Sequence, residues 1–354
     1  MLLRTARWAA LILLQTLIGP PLAIAETPDP PVPLFSSNEL VELRLDAPWR
    51  RLQREPEERG PYAARLHLLG ASDGGGPTTL PLTVEKRGVT RQELCSMPPI
   101  RLRFDEDEVE GSLFEGNRSI KLVTHCKSGS RWEQYYVLEM LAYRLYNRIT
   151  ELSFRVRPVM LTYADSERDR VDGPHFAFLI EDDRLVGNRH GLDKLELDEA
   201  SPRQFSALQA SRFALFQYLI GNTDFSPLSS AEGDCCHNAK LIGEEESLDP
   251  LHPVPYDFDS SGWVDAHYAV PPAQLSLRDV TERQFRGFCA HNEGLEPARQ
   301  EFLAARDDLV AIVEAEPRLS VRRRGTALRY LDDFFEVLTD DREFERRIID
   351  ECRS

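Results

Sequence analysis

The sequence predicts an α+β protein in two parts: a sheet-rich first part carrying one long helix, then a mainly helical second part. Three observations lead there. From about residue 40 to 124 the chain is a series of short stretches alternating apolar and polar residues, separated by turn signals, as half-buried antiparallel strands require. One long stretch with apolar residues at helical spacing, residues 132–149, follows them. After Glu181 the pattern turns to long helices with an apolar face.

In chain order, residues 1–25 read as a secretory signal peptide. Arg4 and Arg7 form the basic start, residues 8–18 are an apolar run too short to span a bilayer, and Ala23-Ile24-Ala25 supplies a small-residue cleavage pattern. No Cys stands at the cleavage point, which speaks against a lipid anchor, and the two arginines are not adjacent, which speaks against a twin-arginine signal. The expected address is therefore periplasmic or secreted. Residues 26–36 form a proline-rich linker, with Pro28, Pro30, Pro31 and Pro33 favouring an extended chain.

Strands are predicted over residues 40–45, 62–69, 80–85, 100–104 and 120–124, with a short helix over 47–54 and a Gly-rich turn over 72–77. After the helix at 132–149, strands at 154–163 and 175–180 flank a charged hairpin loop at 165–172. The first part thus spans residues 37–181 and the second 182–354. Helices are predicted over 206–220, where Gly221 suits the C-cap, and over 297–314 and 325–338, with a break at Pro317.

The balance of 59 acidic to 43 basic residues gives a formal charge of −16. Loss of Arg4 and Arg7 would make the mature chain roughly two units more negative. Such a field disfavours nucleic acid and anionic lipid, and it repels ATP unless the site is locally basic or metal-loaded. No stretch after the first 25 residues is apolar enough for a stable membrane span. Six cysteines in an exported chain permit disulfides. The reading pairs Cys95 with Cys126, and one of Cys235 or Cys236 with Cys289, because adjacent cysteines rarely bridge. A zinc site of Cys235, Cys236, His237 and His252 is the alternative for that segment.

The chemistry-bearing residues come late. Gly221-Asn222-Thr223-Asp224 follows a helix C-terminus, Asn238 precedes a short strand over 239–242, and Asp257-Phe258-Asp259 precedes Ser260-Ser261-Gly262. In an extended segment Asp257 and Asp259 share a face, so both carboxylates can meet one ion. Carboxylate and amide oxygens are hard donors suited to Mg²⁺ or Mn²⁺. Each residue has a plainer alternative: Asp224 satisfies local backbone N–H groups, Asn238 serves a turn, and the Asp-x-Asp builds an Asx-rich turn. Earlier in the chain, Lys121 stands on the strand before the long helix, with Glu139 on that helix. Arg87, Gly88 and Arg91 offer guanidinium forks and a close-approach backbone to phosphate.

Taken together, residues 38–263 resemble the CotH-type kinase-like family of secreted and spore-coat atypical protein kinases. The likeness rests on Lys86-Arg87-Gly88-Val89-Thr90-Arg91, on Phe114-Glu115-Gly116 leading to Ile120-Lys121-Leu122, on the helix around 136–146 and on Ala177-Phe178-Leu179-Ile180-Glu181. It rests also on the three late motifs. The resemblance implies a bilobal atypical protein-kinase-like fold that moves the γ-phosphoryl group of ATP to a hydroxyl of an unidentified protein substrate, with Mg²⁺ or Mn²⁺. It implies Asp224 as the catalytic residue and Asn238, Asp257 and Asp259 as metal ligands. Lys121, Glu139, Arg87, Gly88, Arg91 and Glu181 would serve the nucleotide, Lys121 pairing with Glu139 on the helix, or with Glu133 as the second choice. The sequence departs from the pattern in three places. Asp224 and Asn238 stand fourteen apart rather than five, no lysine follows Arg91 closely, and no G-x-G-x-x-G occurs. Those departures suit an alternative, a catalytically inactive kinase-like module that binds or assembles envelope components. A metal-dependent phosphate-ester hydrolase built on the Asp-x-Asp pair is a third reading.

Overall fold

The computed structural model describes residues 31–54, 59–70, 78–88, 91, 94–230 and 235–354. The expected signal peptide, the start of the linker, the Gly-rich turn at 72–77, and Val89 and Thr90 lie outside the described residues.

The first half is a barrel. Strand β1 (Val41–Ala47) leads through helix α1 (Trp49–Arg54) to β2 (Tyr62–Leu69), β3 (Thr79–Lys86) and β4 (Ile100–Arg103), then a single turn α2 (Glu106–Val109) and β5 (Ser119–Val123). The long helix α3 (Ser130–Ile149) intervenes before the hairpin β6 (Val156–Asp165) and β7 (Val171–Ile180). The strands close in the order β1-β2-β3-β4-β5-β7-β6. All pairs are antiparallel except the closing one, in which β1 runs parallel to β6 with Val41 opposite Val159 and Ala47 opposite Asp165. Strand alternation puts Leu43, Leu45, Leu66, Leu82, Val84, Ile100, Leu102, Ile120, Leu122, Leu161 and Leu179 into one apolar interior. Full closure leaves no bare sheet edge.

This overturns the expected bilobal kinase-like fold. The sheet is a closed, mixed seven-stranded barrel rather than an open antiparallel lobe. The reason is physical: an open sheet with one covered face and a closed barrel produce the same period-2 pattern along each strand. What distinguishes them is the single pairing of β1 with β6, across the long helix, and no local pattern encodes it. The hairpin loop is also shorter than expected, because β6 runs to Asp165 and β7 starts at Val171.

The second half holds α4 (Asp183–Asn188), β8 (Asp193–Leu195), α5 (Ala207–Leu219), β9 (Ala239–Gly243), β10 (His252–Pro255), α6 (Asn292–Glu314), α7 (Val321–Thr339) and the short α8 (Asp341–Phe344). A three-stranded antiparallel sheet, ordered β10-β9-β8, sits among these helices and includes a strand, β8, that the sequence reading did not expect. Helix α3 is buried nearly all round, and its Tyr136, Met140 and Leu145 share one core with Phe216 of α5, Phe302 of α6 and Phe334 of α7. A helix apolar on every side is the central element of a core, not a surface one. Among the described residues, no helix is long and apolar enough to cross a membrane.

Disulfides join Cys95 to Cys126, as the sequence reading paired them, Cys289 to Cys352, and Cys235 to Cys236. The expected bridge to Cys289 is therefore corrected. After α8 the chain returns to lie beside residues 287–289, with the Cys289 N–H donating to the Arg353 carbonyl and the Arg353 N–H to the Gly287 carbonyl, which delivers Cys352 to that partner. The bond between Cys235 and Cys236 also removes the thiolates that a zinc site would need.

Candidate active site

Two loops carry the late motifs, and two glycines hold them together. Helix α5 ends at Leu219 and is capped at Ile220, and Gly221 follows with a φ of 59° in the left-handed region. Its carbonyl accepts the Gly262 N–H at 3.1 Å, while the Ile220 carbonyl accepts the Trp263 N–H at 2.9 Å. A Cβ at Gly221 would meet the Tyr330 ring hydroxyl, and at Gly262 it would stand 2.6 Å from the Val280 carbonyl oxygen. The close approach thus requires glycine at both places. The Asn222 side chain then accepts the Asp224 N–H at 3.0 Å and fixes the turn.

Asp224 projects half-exposed from that turn. His237 Nε2 lies 2.7 Å from its Oδ1, and the Asn238 amide donates to its Oδ2 at 3.2 Å and to its backbone carbonyl at 2.7 Å. Asn238 has φ 48° and Asp257 φ 60°, both left-handed. Such backbone is uncommon outside glycine, tolerated best by Asn and Asp, and concentrated at functional sites. Phe258 anchors the Asp257-Phe258-Asp259 loop. It is fully buried, with its ring centroid 4.5 Å from that of Tyr143 on α3 and 5.5 Å from that of Phe216 on α5. The Asp257 N–H donates to the Tyr143 hydroxyl at 3.0 Å.

Behind the carboxylates stands one bridging cation. Arg91 donates to Asp259 Oδ2 at 2.8 Å and to Glu139 Oε2 at 2.5 Å, and the Tyr268 hydroxyl donates to Asp259 at 3.1 Å. Burial pushes the Glu139 carboxyl up to about 7 against the pull of Arg91. Asp257 is also raised, by burial first and then by Asp259, with Arg91 and Arg87 opposing and Asp224 adding to the rise. The carboxylates of the two loops therefore share one electrostatic environment.

The facing wall is basic. Lys121 on β5 points away from the barrel interior, with its Nζ 4.6 Å from the Tyr256 ring centroid and 5.1 Å from that of Phe154. Its nearest carboxylate is Asp183 at 3.8 Å, and its Nζ has no hydrogen-bond partner among the described residues. Burial holds the ammonium down to about 7; Asp183 opposes that shift, while Arg87 and Lys240 reinforce it. Arg87 donates to the Tyr256 hydroxyl, and Lys240 Nζ lies 5.9 Å from the same ring. Three cations around one tyrosine, next to the Asp257 loop, make a wall that is short of negative charge. Gly88, φ 76°, follows Arg87, and a Cβ added there would meet nothing within 4 Å.

Of the residues singled out in the sequence, Asp224, Asn238, Asp257, Asp259, Arg87, Arg91, Lys121 and Glu139 are thus linked through direct contacts or shared charge. The pairing differs from expectation: Lys121 faces Asp183, and Glu139 is taken by Arg91. The Glu181 carboxylate pairs with Arg189 and accepts the Arg155 N–H at 3.1 Å, a strut at the end of β7. Sequence reasoning missed Asp183, Lys240 and Tyr256. Lys240 stands on the strand that follows Asn238, but the left-handed backbone at Asn238 breaks the alternation, so strand spacing did not place its side chain.

The left-handed backbone at Asp257 departs from the extended segment expected for the Asp-x-Asp, so strand alternation does not set where its two carboxylates point, and what the acidic side offers a divalent ion is its donor chemistry. Two carboxylates and an amide oxygen are hard donors. Asn238 spends its amide nitrogen on Asp224, leaving the oxygen to accept, and the raised Asp257 carboxyl marks negative charge that a cation would relieve. No family model matches this chain, and no curated protein matches it.

Proposed function

We propose that the chain is an exported phosphotransferase that moves the γ-phosphoryl group of ATP to a protein hydroxyl, with Mg²⁺ or Mn²⁺ held by Asp257, Asp259 and Asn238. The observation that carries this reading is the meeting of an acidic pair of loops with a basic wall whose buried Lys121 ammonium has a carboxylate only at 3.8 Å and no hydrogen-bond partner among the described residues. A buried cation of that kind costs free energy unless an anion satisfies it. Lys121, Arg87 and Lys240 hold the polyphosphate, Arg87 as a planar fork and the lysines as point charges. The bound ion would neutralise charge on the phosphate oxygens. Asp224 orients the acceptor hydroxyl and takes its proton as the new P–O bond forms and the bond to the leaving ADP oxygen breaks. Arg91 keeps Asp259 and Glu139 in place and does not touch the phosphate in this reading. The barrel is only the scaffold that presents Lys121 and Arg87, and the reading draws nothing from fold likeness.

A binding module without turnover is the second reading. It is favoured by the two hydrogen bonds that occupy both carboxylate oxygens of Asp224. Transfer from γ-labelled ATP to the chain itself and to periplasmic extract, with Mg²⁺ or Mn²⁺, separates the two. Asp224→Asn keeps the shape but takes no proton, so transfer is expected to fall by roughly 10²–10⁴-fold with nucleotide affinity nearly unchanged. Wild-type protein that binds ATP and transfers nothing supports the binding module. Phosphate release without a labelled acceptor supports a hydrolase.

A further inference from the structure

Away from the cleft, three metal-ligating side chains meet at one mouth of the barrel. His125 follows β5, and Asp172 and His175 stand on β7; one ligand atom from each lies within 4.8 Å of the others. His125 is only 6% exposed, and its Nδ1 is buried with no hydrogen-bond partner among the described residues. His175 Nε2 already lies 3.2 Å from Asp172 Oδ1. A buried imidazole nitrogen left unpaired is costly, and nothing in the proposed phosphoryl transfer uses it.

We propose that His125, Asp172 and His175 form a site for one divalent transition ion of the Zn²⁺ class. Two imidazoles and a carboxylate are the donor set of a three-ligand zinc centre, with a fourth position open. The geometry of the three side chains shows what loading requires. The two imidazole rings are stacked, centroids 3.8 Å apart and planes 15° from parallel. Lone pairs in near-parallel planes cannot aim at one ion, so one ring must turn. His125 is fixed by burial, whereas His175 is about a quarter exposed and begins the buried part of β7, so His175 is the ring that turns. Bonds of roughly 2 Å then draw the donors to about 3.3 Å from one another. Asp172 also lines a solvent-open cavity of about 80 Å³ with Trp49 and Tyr163, which gives the ion a route in.

The test uses the full chain stripped with chelator and titrated with Zn²⁺ against a competing indicator, and with Co²⁺ for its tetrahedral absorption bands. The expected result is one ion per chain with a Kd below about 1 μM, and the Co²⁺ bands should be intense. His175→Gln and Asp172→Asn change a partly exposed and an exposed group, and each is expected to weaken binding by about 100-fold or more. Asp257→Asn should leave the tight step of the titration unchanged while altering any weaker one, which separates this site from the acidic loops. Wild-type protein that binds Zn²⁺ no tighter than about 10 μM, or either the His175 or the Asp172 variant binding as well as wild type, overturns the proposal.

Discussion

The two faces of strand β5 are equally dry and do opposite work. Ile120 and Leu122 turn inward and are lost to solvent in the barrel core, while Lys121 between them is 4% exposed on the outer face, against Tyr256, Phe154 and Asp183. Burying the inner pair stabilises the fold through apolar area. Burying Lys121 does the reverse, because desolvation penalises its charge and Asp183, the stronger of two opposing carboxylates, is 3.8 Å away. Low exposure therefore marks two different things in this molecule, a core on one side of a strand and a poised charge on the other.

The largest stability effect is expected where the outer face does carry structure. Arg91→Leu removes the one hydrogen-bond partner of the Glu139 carboxylate among the described residues and one of three donors to Asp259, leaving buried carboxylates uncompensated, and should cost about 3–5 kcal/mol in a denaturant titration. A loss below about 1 kcal/mol would mean the pair is solvated and that the outer face is not dry at all.

Next comes the contrast between neighbours. Ile120→Ala should lower unfolding free energy by about 2–5 kcal/mol, with ATP affinity retained in the folded fraction. Lys121→Met should leave stability unchanged or raise it, and should weaken ATP binding by about 1.5–3 kcal/mol, the worth of a hydrogen bond to a charged group. Equal stability losses in the two variants, or full ATP affinity in Lys121→Met, would erase the distinction between the faces.

The smallest effect is in pH. In the free protein the Lys121 proton is held less tightly than in the unfolded chain, near 7 rather than 10.5, so this group's contribution to stability rises as pH climbs through that window. Polyphosphate reverses the preference and draws the proton back. ATP affinity should therefore fall by up to about tenfold per pH unit above 7, and binding at pH 8 should take up protons, read by calorimetry in buffers of different ionisation enthalpy. A flat profile that Lys121→Met shares would assign the phosphate to other groups.

How much of this was legible follows from the same two faces. Inner-face residues announce themselves by period-2 alternation, and so β2 was read at its observed limits while β3, β4 and β5 were read to within a residue or two. Helix α5 was read to within a residue at each end for a similar reason, its long apolar run closed by Gly221. The late loops were legible as oxygen-rich turns, though their left-handed backbone was not. Closure of the barrel was hidden, since the partner of β1 lies beyond α3. The partners of Lys121 and Glu139 were misread because a charge on an outer face is paired by whichever chain folds over it. For Lys121 that chain is the start of α4, and for Glu139 it is Arg91, which no spacing rule connects.

The parallel seam between β1 and β6 also sets an order of events in time. Its two strands are separated by on the order of a hundred residues, so the seam carries a large loop-closure entropy and should form after the local hairpins. Until it forms, β1 and β6 each present unpaired backbone to any passing strand. Lys121 and Tyr256 can meet only once the β10 segment has docked on the outside of that barrel, later still in the chain. A nascent chain halted just after Asp165 would hold every barrel strand but β7, and so a ring open on both of that strand's neighbours, sticky and without the wall that Tyr256 and Lys240 complete.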